Sequence, residues 1–360
     1  MIDSPATADA PAPDAFLLLS FGGPLGPEDV MPFLRRVTAG RGVPEQRLAA
    51  VAEHYLDRGG VSPITAQNEA LLAALAAEFD RRGIDLPLYF GNRNWHPLLA
   101  DTAGQMAADG VRHALVLATS STGSYSACRQ YREDLARAAA EVGTGAPRFT
   151  KLRHYFDHPG FIAANAAALR RALEQLPDDE VDRARLVFTA HSIPLSMNDS
   201  SGPDGGLYLA QQRTTARLVA EAVRGAGAEF DLVWQSRSGP PQAPWLEPDI
   251  NDHLRALAAG GATAVVVAPT GFVSDHMEVV SDLDDEAAAT AAETGLRFVR
   301  AATAGTDPAF VGGVADLVQE QLTGSEPAML GELGVCGLDC PDFCCPPPAR
   351  HIPAGQQPSD

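Results

Sequence analysis

Short apolar runs without polar alternation constrain this chain more than any other feature. AFLLLS at Ala15–Ser20, ALVLA at 114–118, RLVFTA at 185–190 and AVVVA at 264–268 are continuous. A strand with one wet face alternates, so continuous runs of this length belong to strands covered on both faces, as in a parallel sheet flanked by helices. Weaker runs at 86–90, 148–152, 232–236 and 297–300 bring the total to two sets of four. Helical patterns with apolar residues three to four apart lie between them at 65–82, 160–176, 208–224 and 274–293. The order predicts an α/β protein with two similar lobes.

An internal echo supports the two halves: DGVRHALVLATSSTGSYS and GGATAVVVAPTGFVSDH share a glycine, a strand, a polar turn and a helix. Ligands of open α/β sheets bind beyond the carboxyl ends of the strands, so a cleft between the lobes is expected there. The expected boundaries are a leader at 1–13, a first lobe at 14–150, a second at 151–325 and an irregular cysteine-bearing extension at 326–360.

With 360 residues, net charge −19 and a pI near 4.8, the chain is a poor partner for nucleic acid or an anionic membrane. No apolar run reaches the roughly 18–20 residues of a membrane helix. MIDSPATADAPAPDA has no basic n-region and no apolar h-region, so a cytoplasmic location is expected. Lys151 is the only lysine, which reads as compositional bias. No GxGxxG follows the first strand and no GxxxxGK[ST] occurs, which disfavours a nucleotide enzyme.

Three segments carry candidate chemistry. VFTAHSIP places His191 directly after a buried strand, where an imidazole titrating near neutrality suits proton transfer; the plain alternative is a strand-edge cap. A helix starting at Ser274 would align Asp275, Glu278, Asp282 and Asp285 as a stripe of hard oxygen donors for a divalent cation, or simply as a solvated face. His276 would point elsewhere. SSTGSYSACRQYRED is a hydroxyl-rich turn entering a helix, with Tyr125 and Tyr131 able to meet a ligand or to pack. Of five cysteines, Cys336, Cys340, Cys344 and Cys345 crowd within ten residues while Cys128 stands apart; in a reducing compartment this suggests metal or cluster ligation.

SFGGPxGPEDV, GGVSPIT, SYSACRQYRED, FTAHSIP and SDHMEVVSDLDDEA together resemble the ferrochelatases in order and spacing, over residues 14 to 325. The resemblance implies two Rossmann-like lobes, each with a parallel four-stranded sheet, around a porphyrin cleft. It assigns Fe²⁺ as substrate to His191 and Glu278 and porphyrin contacts to Ser62 and Tyr131; Arg41 is also expected at the porphyrin, and the stripe of Asp275, Asp282 and Asp285 is expected to form a metal path. The stretch TAGRGVPEQRLAAVAEHYLDRGGVSP is polar and carries Arg41, Arg47 and Arg58 where membrane-docking relatives have an apolar lip. That favours coproporphyrin III over protoporphyrin IX, because its four propionates match an arginine rim. Leu25 stands where some coproporphyrin enzymes have a tyrosine able to ligate product iron. Some family members also carry a [2Fe–2S] cluster; Cys128, Cys336, Cys340 and either Cys344 or Cys345 match its four ligands, with a zinc site as the alternative. The competing readings are a sirohydrochlorin-type chelatase, or a non-catalytic haem- or iron-binding redox sensor. Oligomeric partners are not legible.

Overall fold

The computed structural model describes residues 11–40, 42–238, 242–338, 340–341 and 343–347; Arg41 lies outside them. Strands β1 (Ala15–Ser20), β2 (Leu88–Asn92), β3 (His113–Ala118) and β4 (Arg148–Lys151) form one parallel sheet in the order β2-β1-β3-β4. Strands β5 (Arg185–His191), β6 (Asp231–Gln235), β7 (Ala264–Ala268) and β8 (Arg297–Arg300) form a second in the order β6-β5-β7-β8. The two orders are the same topology, which accounts for the echo in the sequence. β1, β3 and β7 are buried at every residue, as unalternating runs require.

β3, β4 and β5 differ from their expected bounds by one residue at one end, and β2 and β6 are displaced for local reasons. Pro87 has no N–H to give a ladder, so β2 starts at Leu88 rather than residue 86. Ser236 turns to φ 61° and leaves the sheet, so β6 ends at Gln235.

Helix Ile64–Arg82 places Leu71, Leu75 and Phe79 on its buried face, where they meet Phe310, Val314 and Leu317 of the last helix, Pro308–Thr323. The chain thus returns at its end to the first lobe. Leu75 is fully buried, and removing such a side chain costs about 2–5 kcal/mol. The last helix also crosses helix Pro159–Leu173 closely: a methyl on Gly160 would stand 2.3 Å from the Ala309 carbonyl oxygen.

The segment joining β4 to helix Pro159–Leu173 is buried and holds the C-terminal extension. Arg153 makes a two-pronged ion pair with Glu320, at 2.7 and 2.8 Å, and also donates to the Ala328 carbonyl. The amide of His154 donates to the Cys336 carbonyl, and Asp157 accepts from the Leu330 and Gly331 amides. Residues expected to be irregular are therefore strapped onto the lobe junction.

Candidate active site

His191 is the last residue of β5, so its side chain emerges at the carboxyl edge of the second sheet. Its Nδ1 lies against the Ser192 carbonyl oxygen. A carbonyl can only accept, so Nδ1 carries a hydrogen and Nε2 is the nitrogen turned to Glu278. Nε2 stands 3.6 Å from Glu278 Oε2, with the two side chains 34% and 51% exposed. An imidazole and a carboxyl group converge here within reach of solvent.

Glu278 is placed by contacts between the lobes. Asn68 donates to Ser20 Oγ at the end of β1 and accepts from Ser274, at 2.7 and 2.9 Å, all three side chains being buried. Gln67 accepts from the Asp275 amide at 2.8 Å. These bonds pin the loop after β7 to the first lobe just ahead of Glu278. Met277 packs with Phe33, Leu34 and Tyr55 of the first lobe. Burial, and then the charges of Glu278 and Asp282, raise the Tyr55 hydroxyl pKa, so it stays a neutral phenol beside the carboxylates.

The helix carrying the acidic residues differs from expectation. It begins at Met277, not Ser274, because His276 is the extended N-cap and its Nδ1 accepts from the Val279 amide. Burial lowers the His276 pKa and keeps the ring neutral, while its face meets Phe272 at 5.0 Å. From Val280 to Ala287 the turn is π-helical. Residues four apart share a face of the helix, and Asp282 feels the charges of Glu278 and Glu286 on either side. Burial, then these two neighbours, push Asp282 up to about 6 against hydrogen bonds from Ser236 and Gln235. Asp275 and Asp285 do not join them. Asp275 pairs with Arg300 at 3.0 Å, and Asp285 takes both prongs of Arg58. Glu286 is the site residue the sequence reading passed over, and its spacing of four from Asp282 was the signal that could have found it.

Arg47 and Arg58 do not form a free rim: Arg47 donates to the Ser238 carbonyl at 3.0 Å and Arg58 is committed to Asp285. Nor is that stretch wholly polar, since Val51, Leu56 and Val61 are exposed. Tyr131 is 4% exposed beneath the Arg93 guanidinium, 4.4 Å from its ring centre. Ser62 is equally buried, packed where a methyl on Gly23 would stand 2.6 Å from its Cβ. What this edge does expose is Phe21 and Leu25.

Two pockets flank this edge. One of about 370 Å³ is polar and lined by Arg36, Arg93, Arg137, Tyr125 and Glu133 among others. Another, of about 460 Å³, includes Ser192, Trp234 and Arg237 but neither His191 nor Glu278. The pair itself is open rather than enclosed. Among the described residues no three His, Cys, Asp or Glu side chains are close enough to chelate an ion, and no helix is long and apolar enough to cross a membrane.

The cysteines do converge. Cys128, buried on the π turn Tyr125–Arg129, shares a hydrogen bond with Cys340. Cys340 is also bonded to Cys344, whose Sγ is 3.7 Å from that of Cys345. The Gly202 amide donates to Cys345 Sγ from 3.2 Å, and Arg129 holds the Cys344 carbonyl. Cys336 sits beside them on the strap. All five are free thiols.

Known proteins match along nearly the whole chain. A coproporphyrin III ferrochelatase of Nocardia farcinica is 58% identical, covering 96% of this chain and 100% of that protein. Proteins of the same description from Streptomyces coelicolor and Mycolicibacterium smegmatis are 53% and 57% identical, covering 95% and 87% of this chain and 96% and 91% of their own. The structure of SirB from Bacillus subtilis with Fe³⁺ superposes with a TM-score of 0.51 at 15% identity, covering 87% of this chain and 96% of SirB, which bears on the fold. The sequence profile described as Ferrochelatase matches residues 13–322, and the chain belongs to that family.

Proposed function

We propose that this chain inserts Fe²⁺ into coproporphyrin III, releasing the two pyrrole protons. The observation that carries the reading is the His191–Glu278 pair, with Nε2 directed at the carboxylate. A flat macrocycle shields its own nitrogen lone pairs, so insertion requires the ring to bend, a base to take protons from it and a donor to yield the metal. Neutral His191 supplies the base through Nε2. Glu278 offers one hard oxygen ligand, and two protein ligands hold Fe²⁺ loosely enough to surrender it to four nitrogens. Asp282 and Glu286 extend the carboxylate line away from the pair and suit delivery of the ion or removal of protons.

The preference for coproporphyrin III rests on the relatives' descriptions and on Arg36 in the polar pocket, where Arg93 and Arg137 are paired with Asp134. Arginine forks suit propionate carboxylates, and protoporphyrin offers only two. The test is turnover with Fe²⁺ under anaerobic conditions on each porphyrin. Faster metallation of coproporphyrin III supports the reading; equal or slower metallation removes the substrate assignment.

The convergent thiols fit an iron–sulfur group. Cys128, Cys336, Cys340 and one of Cys344 and Cys345 would hold a [2Fe–2S] cluster, and the Gly202 amide is placed like the amides that stabilise cluster sulfurs. The amide favours Cys345 as the fourth ligand. When bound, such a cluster supplies structural crosslinking and one-electron chemistry, and metal insertion requires only the first. Here it would tie Cys128 of the first lobe to the strap at the lobe junction. Acid-labile sulfide in the purified chain supports this assignment; bound zinc without sulfide replaces it.

A further inference from the structure

A single side-chain amide joins three turns at the cleft edge. Asn68, on helix Ile64–Arg82, is fully buried. Its Nδ2 donates to Ser20 Oγ at 2.7 Å, at the end of β1. Thr119 Oγ1, just after β3, donates to the same Ser20 oxygen at 3.1 Å. On the other side, Asn68 Oδ1 accepts from Ser274 Oγ at 2.9 Å, in the loop that follows β7. Ser20 and Thr119 open the two first-lobe turns at the carboxyl edge of their sheet, and Ser274 opens the approach to Glu278.

Apolar anchors lie on both sides of Ser274 and leave its direction open. Val273 packs with Leu71 and Leu75 of the first lobe, and Met277 with Phe33 and Tyr55. Such burial sets depth and is not directional, whereas a hydrogen bond fixes an angle. Gln67, beside Asn68, accepts from the Asp275 amide at 2.8 Å, and Arg300 donates to Asp275 Oδ1 at 3.0 Å. The third and fourth residues before Glu278 are therefore oriented by polar contacts. Asparagine is the side chain this place requires, since one short uncharged group supplies both a donor and an acceptor. Leucine has a similar shape but would strand buried hydroxyls, and aspartate would bring an unmatched charge into a dry junction.

We propose that Asn68 is a positioning residue for metal insertion: through Ser274 it sets the Glu278 carboxyl against the first-lobe turns that border the porphyrin. This deepens the His191–Glu278 reading and rests on it. Being fully buried, Asn68 meets neither reactant and acts through Glu278.

The test uses the full-length protein under anaerobic conditions. Ser274→Ala removes the contact between the lobes with the smallest change of shape, and Asn68→Leu removes both bonds of the amide. Thr102→Val deletes a hydroxyl bonded to the Phe90 carbonyl at 2.9 Å, away from the junction, and controls for lost stability. Steady-state kinetics with Fe²⁺ and coproporphyrin III are measured beside porphyrin affinity, and Ser274→Ala is also combined with Glu278→Gln. Ser274→Ala is expected to raise the KM for Fe²⁺ about threefold to tenfold, the range of one buried neutral hydrogen bond, with porphyrin affinity within about twofold. Asn68→Leu should raise that KM at least as much, and Ser274→Ala decides the matter where Asn68→Leu does not fold. Added to Glu278→Gln, Ser274→Ala should change the KM no further, because its effect runs through the carboxylate. An unchanged KM in Ser274→Ala overturns the proposal, as does an equal rise in both backgrounds or in Thr102→Val. Glu278→Gln with wild-type Fe²⁺ kinetics overturns the chelating-pair reading instead, and that result needs no junction variant.

Discussion

His191 Nε2 stands 3.6 Å from Glu278 Oε2 while the other ring nitrogen is turned to the Ser192 carbonyl. The backbone thus fixes the ring so that Nε2 faces the carboxylate before any substrate arrives. Removing the carboxylate charge separates metal from porphyrin effects. Glu278→Gln is expected to raise the KM for Fe²⁺ about tenfold or more, a loss of about 1.4 kcal/mol, with coproporphyrin binding unchanged in a fluorescence titration. Equal Fe²⁺ kinetics would remove Glu278 from the metal site.

The π turn divides the acidic residues into two groups, and substitution distinguishes them. Asp282→Asn breaks the line of Glu278, Asp282 and Glu286 and is expected to lower kcat/KM for Fe²⁺ about tenfold. Asp285→Asn loses only a half-exposed pair with Arg58, worth about 0.2–1 kcal/mol, and should leave turnover within about twofold. The reverse ranking in steady-state kinetics would restore the α-helical stripe.

Acid sensitivity should arise at the lobe junction. Burial lowers the His158 pKa to about 4, with Arg153 acting in the same direction and Asp316 and Glu320 opposing. Its unfolded value is near 6.5. Between these values the unfolded chain binds the proton and the folded chain does not, so stability falls as pH drops from about 6.5 toward 4. The full contribution is on the order of 3 kcal/mol. His158 also caps helix Pro159–Leu173 through Nδ1, a role Asn can fill. Urea denaturation of His158→Asn is expected to show a shallower pH dependence than wild type; identical slopes would place the sensitivity elsewhere, with buried His154 the next residue to test.

The strap depends on one buried ion pair. Arg153 and Glu320 are 2% and 6% exposed at the side chain, and Glu320→Ala would leave the guanidinium buried and unmatched. The expected loss is about 3–5 kcal/mol in chemical denaturation. A loss below about 1 kcal/mol would mean that the strap is held by its backbone contacts instead.

The sheets were legible because double-sided burial writes itself as AFLLLS and AVVVA, a signal independent of distant contacts. His191 was legible for the same reason, being the first polar residue after such a run. The acidic helix was not: a three-to-four period assumes an α turn, whereas the chain caps at His276 and then widens. Arg47 and Arg58 looked like a rim because sequence shows charge and not the partner, and Asp285 lies 227 residues from Arg58.

Anaerobic turnover of His191→Ala on Fe²⁺ and coproporphyrin III tests the central claim most directly, with porphyrin affinity measured on the same preparation. The geometry predicts a fall in kcat of about a hundredfold or more while the porphyrin still binds. Metallation within a few-fold of wild type would contradict it.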